Sequence, residues 1–123
     1  MTLGPMNVYD TRPEMKGQIS RGTQPYTLNA TDTNKIVVHL WLDSQEVHKL
    51  GAGVVQITDY GQALFTYWWH VDDTNMPGLW AVWCELFING AKATTTLKVP
   101  LQINDWVGVS SYARRASGRL NVA

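Results

Sequence analysis

An antiparallel β-sandwich is the fold this sequence predicts, and three observations predict it. Short apolar runs with period-2 alternation recur roughly every 8–15 residues. Clusters of Gly, Pro, Asn and Asp separate them, and no stretch carries the 3.6-residue periodicity of a helix. At 123 residues the chain is sized for one domain that can bury a core without staples. Cys84 is the only cysteine, so no intrachain disulfide is available and packing must hold the fold.

Taken in order, residues 1–34 show no sustained alternation, and Pro5, Pro13 and Pro25 break the segment. This predicts an extended N-terminal arm that carries at most an edge strand, around residues 17–21 or 26–28. Residues 35–43 are the first clear strand. Ile36, Val38, Leu40 and Leu42 face one way, and Val37, His39, Trp41 and Asp43 the other. Residues 44–50 read as a turn and a short strand. Residues 52–58 read as another strand with Val55 and Ile57 inward, and Asp59, Tyr60 and Gly61 turn the chain.

Residues 62–89 are the stretch around which the chain is organised, expected as a central hairpin with a seven-residue connection. Phe65, Tyr67 and Trp69 share one face of its first strand. Trp80, Val82, Cys84, Leu86 and Ile88 share a face of its second, with Leu79, Ala81, Trp83, Glu85 and Phe87 opposite. The connection holds Asp72, Asp73, Thr74, Asn75, Pro77 and Gly78, rich in turn formers. Asn89-Gly90 then predicts a tight hairpin turn, because both residues tolerate positive φ. Residues 92–103 return as one strand, and Pro100, which lacks an N–H, predicts that its later half is an edge or carries a bulge. The domain therefore spans residues 35–105, and residues 106–123 form a C-terminal tail.

Net charge is formally zero, which gives no support to nucleic-acid or membrane binding by bulk attraction. The N-terminus lacks the apolar core of a signal peptide, and no apolar run approaches a bilayer-spanning length. Production in a cytoplasm is therefore expected. The distribution of charge is uneven. Residues 106–123 carry Arg114, Arg115 and Arg119 and no acid, while residues 35–105 carry four lysines against seven carboxylates. A basic tail of this kind suits an acidic protein partner, a neighbouring copy included, because arginine pairs with carboxylates in a bidentate fork.

No catalytic motif stands out. His39, His48 and His70 match no metal-ligand spacing, so neither a metal nor a cofactor is expected. Asp72 and Asp73 lack the further acids of a calcium loop. Asp73 and Thr74, with Pro77 and Gly78, instead read as a structural turn, closed by the side chain of Asp73 or Thr74 bonding nearby backbone N–H groups. Cys84 falls on an apolar face, where a thiol behaves as a small hydrophobe. An enzyme is not expected. Trp41, Trp68 and Trp83 fall opposite the inward faces and are the expected partner-binding residues. They suit either a protein interface or stacking on a glycan, and the interface is preferred.

The segment TYWWHVDDTNMPGLW resembles a bacteriophage pattern of Tyr-x-Trp, then Asp-Thr, then Pro-Gly and an apolar residue. Gly61, Tyr67, Trp69, Asp73, Thr74, Pro77 and Gly78 carry it. The strand LWAVWCELFING and the later VPLQI follow it, so the likeness spans roughly residues 35–103. It is similar to the N-terminal immunoglobulin-like domain of phage baseplate upper proteins. The resemblance implies an immunoglobulin-like sandwich in a virion structural protein without catalytic activity. Baseplate upper proteins continue into long helical or fibre regions, whereas this sequence stops soon after the domain. The expectation is therefore a head decoration or cement protein, or a tail or baseplate accessory. Its partners would be the capsid or tail lattice and other copies of itself, and a carbohydrate-binding module for a host-surface glycan is the alternative.

Overall fold

The structure, a computed structural model, describes residues 3–105. It is all-β, with eleven strands among the described residues. These are β1 (Leu3–Asn7), β2 (Met15–Gln18), β3 (Ser20–Arg21), β4 (Gln24–Pro25), β5 (Asn34–Leu42) and β6 (Val47–Leu50). They continue with β7 (Val54–Asp59), β8 (Leu64–Trp68), β9 (Gly78–Ile88), β10 (Ala91–Thr95) and β11 (Val99–Asn104). Short 3₁₀ turns at Asp43–Gln45 and Val71–Asp73 are the only helical pieces among these residues, and no helix is long and apolar enough to cross a membrane.

The strands form a six-stranded sheet, a three-stranded sheet and the small β3–β4 hairpin. The large sheet runs β1–β11–β9–β5–β6, with β10 also paired to β9, and the small one runs β2–β8–β7. The spine of the large sheet is the β5–β9 pair, antiparallel and in unbroken register from Asn34 opposite Ile88 to Leu42 opposite Trp80. Its alternation is the one the sequence predicts. Ile36, Val38, Leu40 and Leu42 are buried from β5, and Trp80, Val82, Cys84 and Leu86 from β9. Phe65, Tyr67 and Trp69 from β8 and its end are buried in the same cluster, so both sheets feed one core. At about 1.5–3 kcal/mol for each large apolar side chain removed from water, this shared layer is the main driving force of the fold.

Residues 62–89 do not form a hairpin. β8 pairs with β2 and β7, β9 pairs with β5, β10 and β11, and the connection crosses from one sheet to the other. Both strands carry a wholly apolar face. Side by side, those faces would share one surface and need a separate cover, whereas in two layers each covers the other.

Two further elements differ from the sequence reading. Residues 3–34 are woven into the body where an arm is expected. β1 lies parallel to β11 at the edge of the large sheet, β2 lies antiparallel to β8 at the edge of the small one, and Met6, Val8, Met15, Ile19 and Leu28 are buried. Single hydrophobic residues scattered among turn formers leave no periodic trace, yet each fills one slot of the core.

Residues 92–103 return as two strands rather than one. β10 pairs with Glu85 to Ile88 and β11 with Gly78 to Val82. Between them, Thr96 Oγ1 accepts from the Cys84 N–H at 2.9 Å, and the Thr96 N–H donates to the Cys84 carbonyl at 2.8 Å. From Leu101 onward β11 is an inner strand between β1 and β9. Pro100 lies one residue before the pairing of Leu101 with Leu3, the first described residue of β1. The Asn89-Gly90 turn forms as expected, with φ of 52° and 85°.

Candidate functional site

Two clusters of polar side chains stand out, one sealed and one open. The sealed one occupies the inter-sheet connection. Asp73 is buried at 1% exposure. Its carboxylate accepts from the Tyr67 hydroxyl at 2.5 Å, the Ala52 N–H at 2.8 Å and the His70 N–H at 3.0 Å. The Tyr67 hydroxyl accepts in turn from the Gly53 N–H at 2.9 Å. Burial, reinforced by the bond to Asp73, pushes the Tyr67 phenol far above its ordinary pKa. Thr74 is fully buried. Its hydroxyl donates to the Asp10 carbonyl at 2.8 Å, and its own carbonyl accepts from the Tyr9 N–H at 3.0 Å.

Pro77 and Gly78 lead into β9, where Gly78 takes a φ of 138° that side chains rarely adopt. Asp73 bonds the nearby His70 N–H as a turn side chain does, and also reaches the distant Ala52, whereas the Thr74 hydroxyl bonds a distant carbonyl and no nearby N–H. They clamp the β6–β7 link and the segment after β1 to the connection. His70 caps the 3₁₀ turn, its Nδ1 accepting from the Asp72 N–H at 3.1 Å.

The open cluster lies on the outer face of the large sheet, where β5, β6 and β9 present alternate residues to solvent. Register sets His39 beside Trp83 on one side and Leu50 on the other, and Trp41 beside Ala81 and His48. His39 Nε2–H donates to Glu85 Oε1 at 2.5 Å, and the two side chains are only 12% and 21% exposed. His39 Nδ1 lies 2.9 Å from His48 Nε2, a hydrogen bond whose donor is set by the tautomers of the two rings. The result is a carboxylate–imidazole–imidazole chain ending at the exposed His48.

Trp83 lies near-parallel to both imidazoles, with centroids 5.1 and 5.8 Å away, and Lys98 Nζ sits 4.8 Å over its ring. Lys92 Nζ lies 3.5 Å from Glu85 Oε2. The bond from His39, with help from Lys92, holds the Glu85 carboxyl below its usual pKa. Around this chain the face is apolar, with Leu50 and Leu79 each 59% exposed and Trp41 half-buried.

The arrangement sets oriented hydrogen-bonding groups beside exposed apolar side chains. Cys84 points into the core, and burial raises its thiol pKa to about 12, far from a usable thiolate. Among the described residues no group of three or more His, Cys, Asp or Glu could hold a metal ion.

Trp41 and Trp83 share this outer face, but Trp68 does not join them. It lies on β8 in the small sheet, opposite Val54, and is half-buried. A single three-tryptophan contact face is thus corrected to a pair, because β8 and β9 belong to different layers. Arg114, Arg115 and Arg119 lie outside the described residues. The sequence reading passed over Glu85 and took the histidines singly. The signal was present in the alternation, which puts His39 with Trp41 and Glu85 with Trp83, but only the β5–β9 register makes the two pairs neighbours.

No family model matches this chain, and no significant match is found among curated proteins or solved structures.

Proposed function

We propose that this chain is a non-catalytic structural protein of a bacteriophage particle. In this reading it is an immunoglobulin-like sandwich that docks on a repeating protein lattice as a head decoration or cement protein, or as a tail or baseplate accessory. The placement in a virion rests on the resemblance carried by Tyr67, Trp69, Asp73, Thr74, Pro77 and Gly78. The docking rests on one observation, the outer face of the large sheet. That face offers the exposed Leu50 and Leu79 and the half-buried Trp41 and Trp83 around the His39–Glu85 pair. Exposed apolar groups around a few oriented polar ones are the composition of a protein interface.

Glycan stacking needs an open aromatic face. Trp83, with two imidazoles beside it and Lys98 over it, suits protein contact better. On a lattice, many weakly attached copies would act together, each raising the effective concentration of the next.

The test is the mass of the purified protein in solution, followed by cosedimentation with whole particles, isolated heads and isolated tails. Binding to one of these that is lost in Leu50→Lys/Leu79→Lys, with the same unfolding temperature, is the expected result. A protein that sediments with none of them but binds glycans as a free monomer would overturn it.

A further inference from the structure

A second recognition site is built into the side of the molecule, meeting the outer face only at Trp83, which lines both. Between the two sheets an open cleft of about 890 Å³ runs along the whole of β2. Met15, Lys16, Gly17 and Gln18 all line it, β10 reaches it through Thr94 and Thr95, and Val82, Cys84 and Phe65 form its apolar floor. Leu97 and Leu64 stand at its rim, Leu97 being 88% exposed.

Three features of this cleft point to one kind of ligand. Among the described residues β2 pairs with β8 alone, so its other backbone edge faces the cleft. An open edge is a template for another strand. Gly17 has no side chain, and a Cβ there would fall 2.4 Å from the Phe65 ring, so the ring lies directly beneath the strand. The charges are of one sign, because Lys16 and Arg21 line the cleft and no carboxylate does.

We infer that the cleft binds an extended, acid-bearing peptide segment of another protein, which adds to the small sheet as a fourth strand along β2. Backbone bonds to the β2 edge would hold the segment, as in other cases of strand addition. Alternate apolar side chains would enter over Phe65, Val82 and Leu97, and carboxylates would meet Lys16 and Arg21. The chain's own residues 106–123 suit the site less well, since they bring three arginines and no acid to a basic rim. The argument for this site does not rest on a virion, and of the outer-face residues the cleft uses Trp83 alone.

The test uses the full chain, isotope-labelled, and three probe peptides. One is a decapeptide alternating Val with Thr and Glu, the second replaces Glu with Lys, and the third is residues 106–123 of this sequence. The expected result is saturable binding of the acidic peptide, with amide shifts concentrated at residues 15–18 and 94–97. Lys16→Glu/Arg21→Glu should weaken it at least tenfold and reverse the preference toward the lysine peptide, with unfolding unchanged. Leu50→Lys/Leu79→Lys should leave it intact, which separates this site from the outer face. The inference is overturned if the acidic peptide does not bind at millimolar concentration or shifts His39, Trp41, His48, Leu50 and Leu79, none of which lines the cleft, in place of residues 15–18. Tighter binding of the 106–123 peptide in the cleft would overturn it as well.

Discussion

Asp73 and Glu85 are both carboxylates bonded to aromatic partners, yet they serve opposite ends. Asp73 is sealed among Tyr67, Ala52 and His70, donors from two parts of the chain, the end of β8 and the β6–β7 link. Glu85 is bonded to His39 on a neighbouring strand, and its second oxygen faces Lys92 at the surface. The same functional group is a clamp in one place and a recognition element in the other. Burial makes the difference, because an unmet bond in the core has no water to replace it, whereas a surface one does.

That contrast can be broken most sharply at Asp73. Asp73→Ala should leave the Tyr67 hydroxyl and two backbone N–H groups unpaired and cost about 3–5 kcal/mol. Urea unfolding would measure it, and a loss under about 1 kcal/mol would show that the clamp carries little. Gly53→Ala should be the next most damaging, at about 1–3 kcal/mol of overpacking strain. Its Cβ would fall 1.9 Å from the Trp68 carbonyl oxygen and 2.9 Å from the Tyr67 ring. The Tyr67–Asp73 bond that Gly53 abuts would be disturbed at the same time.

Titration sharpens the comparison without mutation. The Tyr67 pKa is raised in the folded chain, so its contribution is full below the unfolded value of about 10 and declines as pH rises above it. In an alkaline absorbance titration one of the five tyrosines should therefore stay protonated until the protein unfolds. A thiol reagent should likewise react with Cys84 far more slowly before unfolding than after, since the side chain is almost wholly buried on the cleft floor and burial keeps its proton in place.

Glu85 has the opposite sign. Its folded pKa is depressed, so its contribution is present above the unfolded value of about 4.3 and is lost as pH falls below it. Glu85→Gln should flatten the acid limb of the stability profile and lower neutral-pH stability only slightly, far less than Asp73→Ala does, because the pair it removes is at the surface. An unfolding temperature at pH 7 that fell as far as that of Asp73→Ala would erase the distinction between the two sites.

Much of this was legible in the chain itself. The buried face of β5, the inward Phe65, Tyr67 and Trp69, the core position of Cys84 and the turn at Asn89-Gly90 all follow from alternation and local backbone preference. Those depend on neighbours in sequence, and so can be read there. The local role of Asp73 was legible for the same reason, since a short polar side chain in a turn bonds nearby backbone, but the bond from Thr74 to the distant Asp10 was not.

Tertiary structure decided the rest. A strand's two faces are visible in its sequence, but the strand that lies beside it is not, because pairing joins residues far apart in the chain. Only the assembled sheets show that β8 and β9 sit in opposite layers. That arrangement separates Trp68 from Trp83, draws His39, His48 and Glu85 into one chain of bonds, and leaves the edge of β2 open along a cleft. The scattered apolar residues of the first 34 positions make the same point, since Met6, Ile19 and Leu28 have no periodicity and owe their burial to surfaces the other strands supply.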